Sequence, residues 1–257
     1  MRFSPLPRFA LVIVGAFLTL AGLVPLPYAV LQPGAGTDVL AKMITVKGAT
    51  TYPTKGKLLL LTVLATSPNS PIFGANVLYS WAKGDSIVLP RSVVYPAQQT
   101  SKEINAVNKA EMDGSQTAAA SAAFGYLSGV GTLIDPKKVN VSFSLKDTGG
   151  PSGGLIFSLG IVAKLSPVDF LAGRTIAGTG TIDANGVVGP IGGIDEKLIA
   201  AKRSGASVFL APTTNCADVH HIPSGLTVYS VATLKEAISV LKEASTAVPH
   251  CTWQRNR

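Results

Sequence analysis

Charge is scarce in this 257-residue sequence: Asp, Glu, Lys and Arg together make up 14% of it, against 47% hydrophobic residues. No run of five like charges occurs and the aromatics, 7% of the chain, are not interleaved with basic residues. The net charge of +8 is therefore scattered, which argues against nucleic acid as a partner. The same balance excludes a disordered tail, a collagen and a coiled coil. Cysteine and histidine are also rare, with two and three residues. There is no C-x-x-C, His220 and His221 are adjacent, and His250 is remote, so neither thiol redox catalysis nor a metal site finds its usual spacing. No G-x-x-x-x-G-K-[ST] is present, so no nucleotide-binding P-loop is expected. Glycine (26) and proline (17), by contrast, are frequent and predict short segments in a domain large enough to bury its own core.

Arg2 and Arg8 precede an apolar run from Phe9 to Val24, which continues past Pro25 and Pro27 to Val30. The length is close to the roughly 20 residues that span hydrocarbon, and no clear A-x-A site follows. Residues 9–30 are expected to form an uncleaved transmembrane signal anchor, with a cleaved signal peptide as the main alternative. The early arginines, and the lack of Lys or Arg until Lys42, place residues 1–8 in the cytoplasm and the rest of the chain outside. There Cys216 and Cys251 can oxidise, so a disulfide between the tail and the Cys216 loop is expected; two separate buried thiols are the alternative. The histidines read as solvated loop residues.

Past the turn at Pro33-Gly34-Ala35-Gly36, Lys57–Ala65 and Ser86–Val94 read as buried strands. Residues 100–126 read as a helix whose small side chains, Ala118 to Ala120 and Ala122-Ala123, suit close packing. Val139–Leu145 alternates apolar and polar residues, the period of a half-buried strand. After Gly149 to Gly154 an apolar helix is expected, with Pro151 in its first turn. Thr175–Asp183 is a strand candidate, Asn185-Gly186 a tight turn, and Val187–Ile191 the return arm of a hairpin. A helix over 195–204, strands over 207–211 and 226–231, and a helix over 234–244 complete one α/β or α+β domain.

Ser152 stands among Gly149, Gly150, Gly153 and Gly154 at the expected start of a helix, where free N–H groups and the helix dipole can stabilise an oxyanion. A capping serine in a glycine-rich helix start is the plain alternative. Two bases compete. Gly150-Pro151-Ser152-Gly153-Gly154 fits the G-x-S-x-G string of the nucleophile elbow, but about six residues separate the strand ending at Leu145 from Ser152, too many for the sharp elbow turn. The other base is Lys197, on a helix face with Ala200, Ala201 and Ser204. Among such small neighbours a lysine is desolvated, which lowers its pKa and frees a neutral amine to take the serine proton.

The stretch from Val139 to Asp218 resembles the proteolytic domain of Lon-type peptidases. The resemblance is carried by Gly150-Pro151-Ser152-Gly153-Gly154 against G-P-S-A-G, by Ala177-Gly178-Thr179-Gly180 against A-x-T-G, and by Val188 to Ile194 followed by Glu196-Lys197. It implies the Lon-type α+β fold, with Ser152 as nucleophile, Lys197 as general base, Thr179 as a partner orienting the lysine amine, and Gly150 supporting the oxyanion. Three departures stand out. Gly153 replaces the family's Ala, a change expected to loosen the helix start by about 1 kcal/mol. Gly149 occupies a position where many Lon enzymes carry an acid, with Asp147 two residues earlier. The Lon ATPase motif is absent.

The whole also resembles the membrane-anchored Lon-like proteins of bacteria that carry a PDZ module, through Leu26-Pro27-Tyr28, Gly56-Lys57-Leu58 and Met112-x-x-Ser115-Gln116. Only about a dozen residues separate Tyr126 from Val139, where that module would sit. The expected organisation is a cytoplasmic N-terminus (1–8), an anchor (9–30), an N-terminal exported part (31–137), a Lon-type core (138–245) and a tail (246–257). The expected activity is an ATP-independent, membrane-anchored serine endopeptidase acting on proteins or peptides, without metal or cofactor. Homo-oligomers are compatible with it. The alternatives are a catalytically silent, membrane-tethered scaffold, and a Ser-His-Asp hydrolase using His220, His221 or His250.

Overall fold

The computed structural model describes residues 7–95, 100–132, 134–145, 149–243 and 248–252. In chain order the elements are α1 (Arg8–Leu23), β1 (Pro25–Leu26), β2 (Tyr28–Asp38), a π-helical turn (Val39–Met43), β3 (Ile44–Lys47), β4 (Lys57–Ala65), β5 (Ile72–Phe73), α2 (Gly74–Lys83), β6 (Ile87–Pro90), α3 (Arg91–Val94), α4 (Ser101–Gly129) and β7 (Asn140–Phe143). They continue with a 3-10 turn (Pro151–Gly153), α5 (Gly154–Leu165), β8 (Thr175–Gly178), β9 (Thr181–Ile182), β10 (Val188–Gly189), α6 (Ile194–Arg203), β11 (Val208–Pro212), a second 3-10 stretch (Thr213–Asp218), β12 (Thr227–Val231) and α7 (Leu234–Glu243). The chain divides into two compact units, residues 1–32 with 64–101, and residues 33–63 with 102–257.

In the first unit, β1 pairs antiparallel with β5, and the start of β2 pairs antiparallel with β6 from Tyr28↔Pro90 to Leu31↔Ile87. The expectation of one apolar helix over 9–30 is corrected here. Pro25 forces Val24 into an extended conformation (φ −71°, ψ 127°), so the helix stops at Leu23 and strand follows. At 16 residues, α1 is about 24 Å long at 1.5 Å per residue, short of the hydrocarbon core. Among the described residues no helix is long and apolar enough to cross a membrane. None of the α1 residues is buried, and Phe9, Val12, Phe17 and Leu18 are each at least two-thirds exposed. The strand expected over 86–94 is also corrected: Pro90 ends β6 and becomes the N-cap of the single-turn α3.

The second unit is a mixed α/β layer structure. Its main sheet runs β12-β11-β8-β4-β2, and the pairs β12–β11, β11–β8 and β8–β4 are parallel. Strand β4 shows why helices cover both faces: Leu58 and Leu60 point into one cluster with α4, α5 and α7, while Leu59 and Leu61 point into another with α6. The small residues of α4 behave as expected, with Ala119, Ala122 and Ala123 buried. Two small antiparallel pairs flank the sheet, β3 with β7 and β9 with β10.

The strand expected over 175–183 is split. Thr179 N–H still bonds the neighbouring strand, at Leu210 O of β11 (3.0 Å), but Gly180 N–H turns away to Ser152 O (2.9 Å), and the ladder ends there. At the far edge, the tail adds an antiparallel stretch to β12: Ser230 N–H bonds Pro249 O, Cys251 N–H bonds Val228 O, and Tyr229 bridges His250. Cys216 and Cys251 are joined by a disulfide, with Cα atoms 5.1 Å apart.

Candidate active site

The turn carrying Ser152 is held from three sides. Pro151 occupies the first helical position, and its carbonyl accepts the Ser115 hydroxyl of α4 at 2.9 Å. The Ser152 carbonyl accepts Gly180 N–H (2.9 Å) and the Thr179 hydroxyl (3.1 Å). Leu155 N–H closes the frame on Gly180 O at 3.1 Å. Gly154 is required for this approach, since a Cβ there would stand 2.9 Å from Ile182 Cγ2 and 3.0 Å from Ile182 N. Behind the turn, every residue of α5 except Lys164 is buried. Among the described residues the Ser152 hydroxyl itself makes no hydrogen bond.

Lys197 lies in the first turn of α6 and is 4% exposed. Its Nζ donates to Thr179 Oγ1 at 3.1 Å, and Thr179 in turn donates to the Ser152 carbonyl. Thr179 is itself 2% exposed and sits at the break between β8 and β9, so it bridges the base to the serine backbone. Burial lowers the Lys197 pKa to about 8, with Glu196 pulling it back up. A substantial fraction of this amine is therefore neutral near physiological pH, the form that accepts a proton. Glu196 is as buried as its neighbour, at 2% exposed, and its Oε2 has no hydrogen-bond partner among the described residues. Burial raises its pKa, its own backbone N–H lowers it, Asp195 raises it and Lys197 lowers it.

Gly150, expected to support the oxyanion, is held against α4. Its φ is +89°, and its N–H donates to Asn108 O of α4 at 3.0 Å, so in this arrangement that donor is occupied. A side chain at Gly149 would place Cβ 2.7 Å from Asn108 Cβ, so the segment can press against α4 only because residue 149 has none. A cleft of about 630 Å³ reaches the serine loop at Gly149; Asn105, Asn108, Met112 and Gln116 of α4 line one wall, and Phe143 and Leu145 another. Asp147 lies outside the described residues.

The Gly153 departure also reads differently in three dimensions. A Cβ at Gly153 would fall 2.8 Å from Phe157 Cε2 and 2.9 Å from Leu60 Cδ1. The space of the family's methyl is filled by Phe157, which packs edge-on against Phe143 with ring centroids 5.1 Å apart. The helix start is thus closed by a ring rather than loosened.

The histidines are not brought to Ser152. His220 is exposed, but it is not merely solvated: its N–H bonds Asp195 Oδ1 at 3.0 Å and its Nδ1 meets Asp195 Oδ2 at 2.8 Å. His250 stacks on Tyr229, with centroids 4.4 Å apart. Among the described residues no group of His, Cys, Asp and Glu is arranged to hold a metal ion. Asn215, which the sequence reading passed over, is 3% exposed and bonds both backbone groups of Ile191.

The model of the Lon protease (S16) C-terminal proteolytic domain matches residues 144–246. Residues 144–246 are thus similar to a Lon-type proteolytic domain. Lon protease 1 of Sorangium cellulosum is 40% identical over 114 residues, covering 39% of this chain and 14% of that protein. Lon protease 2 of Bacillus subtilis is 36% identical over 91 residues, 35% of this chain and 16% of that protein. Lon protease of Buchnera aphidicola is 38% identical over 100 residues, 37% and 12% respectively. The chain thus spans less than a fifth of the length of the relatives it matches. The matched segment contains Ser152, Thr179 and Lys197, and the bonds Lys197–Thr179 and Thr179–Ser152 lie wholly within it.

Proposed function

We propose that this chain is a serine endopeptidase in which Ser152 is the nucleophile and Lys197 the general base. The observation that carries the reading is the buried Lys197 amine, its pKa lowered to about 8, linked through Thr179 to the backbone of a serine whose hydroxyl makes no hydrogen bond among the described residues. In the reaction, Ser152 Oγ attacks the scissile carbonyl carbon while its proton passes to Lys197 Nζ. Collapse of the tetrahedral adduct breaks the C–N bond, and the ammonium returns the proton to the leaving amine. Water then attacks the acyl-enzyme, giving its proton to Lys197 Nζ; the second adduct collapses by breaking the acyl C–Oγ bond, which releases the acid, and Lys197 returns the proton to Ser152 Oγ. Main-chain N–H groups at the serine turn receive the oxyanion once Gly150 N–H parts from Asn108.

The hydrolysis itself uses no nucleotide, a reading supported by the Lys197–Thr179–Ser152 chain of bonds, which supplies the nucleophile and the base of every step. Its substrates are peptides or proteins already unfolded. It attaches to a membrane through the apolar N-terminal segment, with the domain on the extracytoplasmic side. The exposed apolar side chains of α1 and the disulfide support that placement. A second reading, a silent scaffold, is favoured by one observation, the Gly150 N–H bound to Asn108 rather than open to substrate.

The test is acylation of the protein by a serine-directed probe across pH 6 to 10, read by intact mass. Labelling of Ser152 that rises with a midpoint near 8 and vanishes in Ser152→Ala and Lys197→Ala supports the dyad. A folded wild type that stays unlabelled favours the scaffold.

A further inference from the structure

The start of α6 has no side-chain cap, and its local hold is the burial of Ile194. Its N-cap, Gly193, has φ +67° and no capping side chain, and a Cβ at the preceding Gly192 would meet nothing within 4 Å. Two glycines before a helix give the backbone wide freedom, and Lys197 rides on the first turn, its N–H bonded to Gly193 O at 3.1 Å. A shift of even an ångström would take its amine out of reach of Thr179.

Two clamps, one on each side of this glycine pair, supply what the helix start lacks, and both come from residues 213–220. Before the glycines, Asn215 Oδ1 accepts Ile191 N–H and Asn215 Nδ2 donates to Ile191 O, each at 2.9 Å. This pairing satisfies both backbone groups of Ile191 as a neighbouring strand would. Asn215 Nδ2 also donates to Asp218 Oδ2 at 2.9 Å, which fixes the amide in the orientation that presents its oxygen to Ile191 N–H. After the glycines, Asp195 is held by His220. The segment that carries both clamps is anchored by the disulfide at Cys216 and by the Ser230 to Thr213 hydroxyl bond at 2.9 Å.

We propose that Asn215 is a positioning residue for Lys197: its two-point hold on Ile191 sets the start of α6 so that the lysine amine meets Thr179 in a dry site. The inference rests on the Ser152–Lys197 reading above. Asn215 touches neither the serine nor the lysine, and it acts through the 191–194 backbone. Among the described residues, the titratable groups at this helix end are Glu196, beside Lys197 in the chain, and Asp195 with its partner His220.

The experiment measures the Ser152 acylation rate against pH for the full chain, Asn215→Ala and Asp218→Ala, each well below its own Tm. The expected result for Asn215→Ala is a plateau lowered about 10- to 100-fold and a midpoint moved up towards an ordinary lysine, since a loosened helix start lets water reach the amine. Asp218→Ala, at an exposed position, leaves both Ile191 bonds and gives a smaller change in the same direction. If Asn215→Ala does not fold, the Asp218→Ala midpoint decides. A lowered Tm with wild-type plateau and midpoint overturns the proposal, because it makes Asn215 merely structural. A wild-type profile that Lys197→Ala leaves unchanged overturns the dyad reading itself, and is told apart by its occurring with Asn215 intact.

Discussion

Ser152 stands at the head of a helix whose residues, Lys164 apart, are all in the core, whereas Lys197 stands in the first turn of a helix whose start is held by hydrogen bonds from residues 213–220. The serine is placed by packing, which is close to rigid because interiors are filled to crystal density. The lysine's helix is also packed, through Ile194, Leu198, Ala200 and Ala201, but its first turn depends in addition on a few directional bonds, each worth about 1 kcal/mol. One consequence is that the two halves of the site should respond to different perturbations: volume changes on the serine side, polar deletions on the lysine side.

The largest contrast is between the two reactive groups. Ser152→Ala should abolish acylation, a loss of at least about 10³-fold. It should leave stability within about 0.5 kcal/mol, because the hydroxyl has no hydrogen bond to lose among the described residues. Urea titration beside the probe assay checks both. Lys197→Met should be as inactive, yet more stable at neutral pH. The folded pKa of about 8 lies below the unfolded value near 10.5, so burying the ammonium costs on the order of 3 kcal/mol. That cost is whole below about pH 8 and fades as pH rises to the unfolded value. The stability advantage of Lys197→Met should therefore be greatest at pH 7 and nearly gone by pH 10.5, measured as unfolding midpoints in urea. An unchanged or lowered midpoint at pH 7 would remove the desolvation argument.

Thr179→Val probes the bridge between the halves. Loss of an acceptor that favours the ammonium should push the Lys197 midpoint further below 8. The plateau should drop about tenfold as the amine loses its orientation. Gly153→Ala should have the smallest effect on rate, a few-fold, and should cost about 1–3 kcal/mol by overpacking against Phe157 and Leu60. Pairing it with Phe157→Leu should recover part of that loss in a double-mutant cycle. A stabilised Gly153→Ala would mean that helix propensity, not space, decides at this position.

Strand β4 was readable to the residue, Lys57–Ala65, because a continuous run of leucines and valines permits little else at that length. The long helix α4 and the strand β7 followed from composition and alternation in the same way. The Ser152 and Lys197 positions were readable because glycines mark each of them. What escaped was contributed by tertiary partners. The strand over 175–183 breaks after Thr179 because the Ser152 carbonyl takes the Gly180 N–H and the Thr179 hydroxyl, and Ser152 is no neighbour in sequence. The Gly150 N–H finds a helix carbonyl 42 positions earlier in the chain, at Asn108, a contact with no local signature. Asn215 lay in a stretch that reads as a polar loop; only its burial shows that its amide is structural. The N-terminal helix was given too long a reach by hydropathy alone, which is blind to the extended conformation that Pro25 imposes on Val24.

The tail at 249–251 has one further consequence. Strand β12 is the last of its sheet, and an open last strand offers a row of unpaired N–H and C=O groups to any passing chain. Ser230 and Val228 give theirs to Pro249 and Cys251, and the bond from Cys251 to Cys216 keeps that covering in place. The same two sulfur atoms that anchor the frame of the lysine therefore shield the sheet from self-association. A reduced chain would lose this guard, and it would be expected to clump through its β12 edge while the core around Ser152 was still folded.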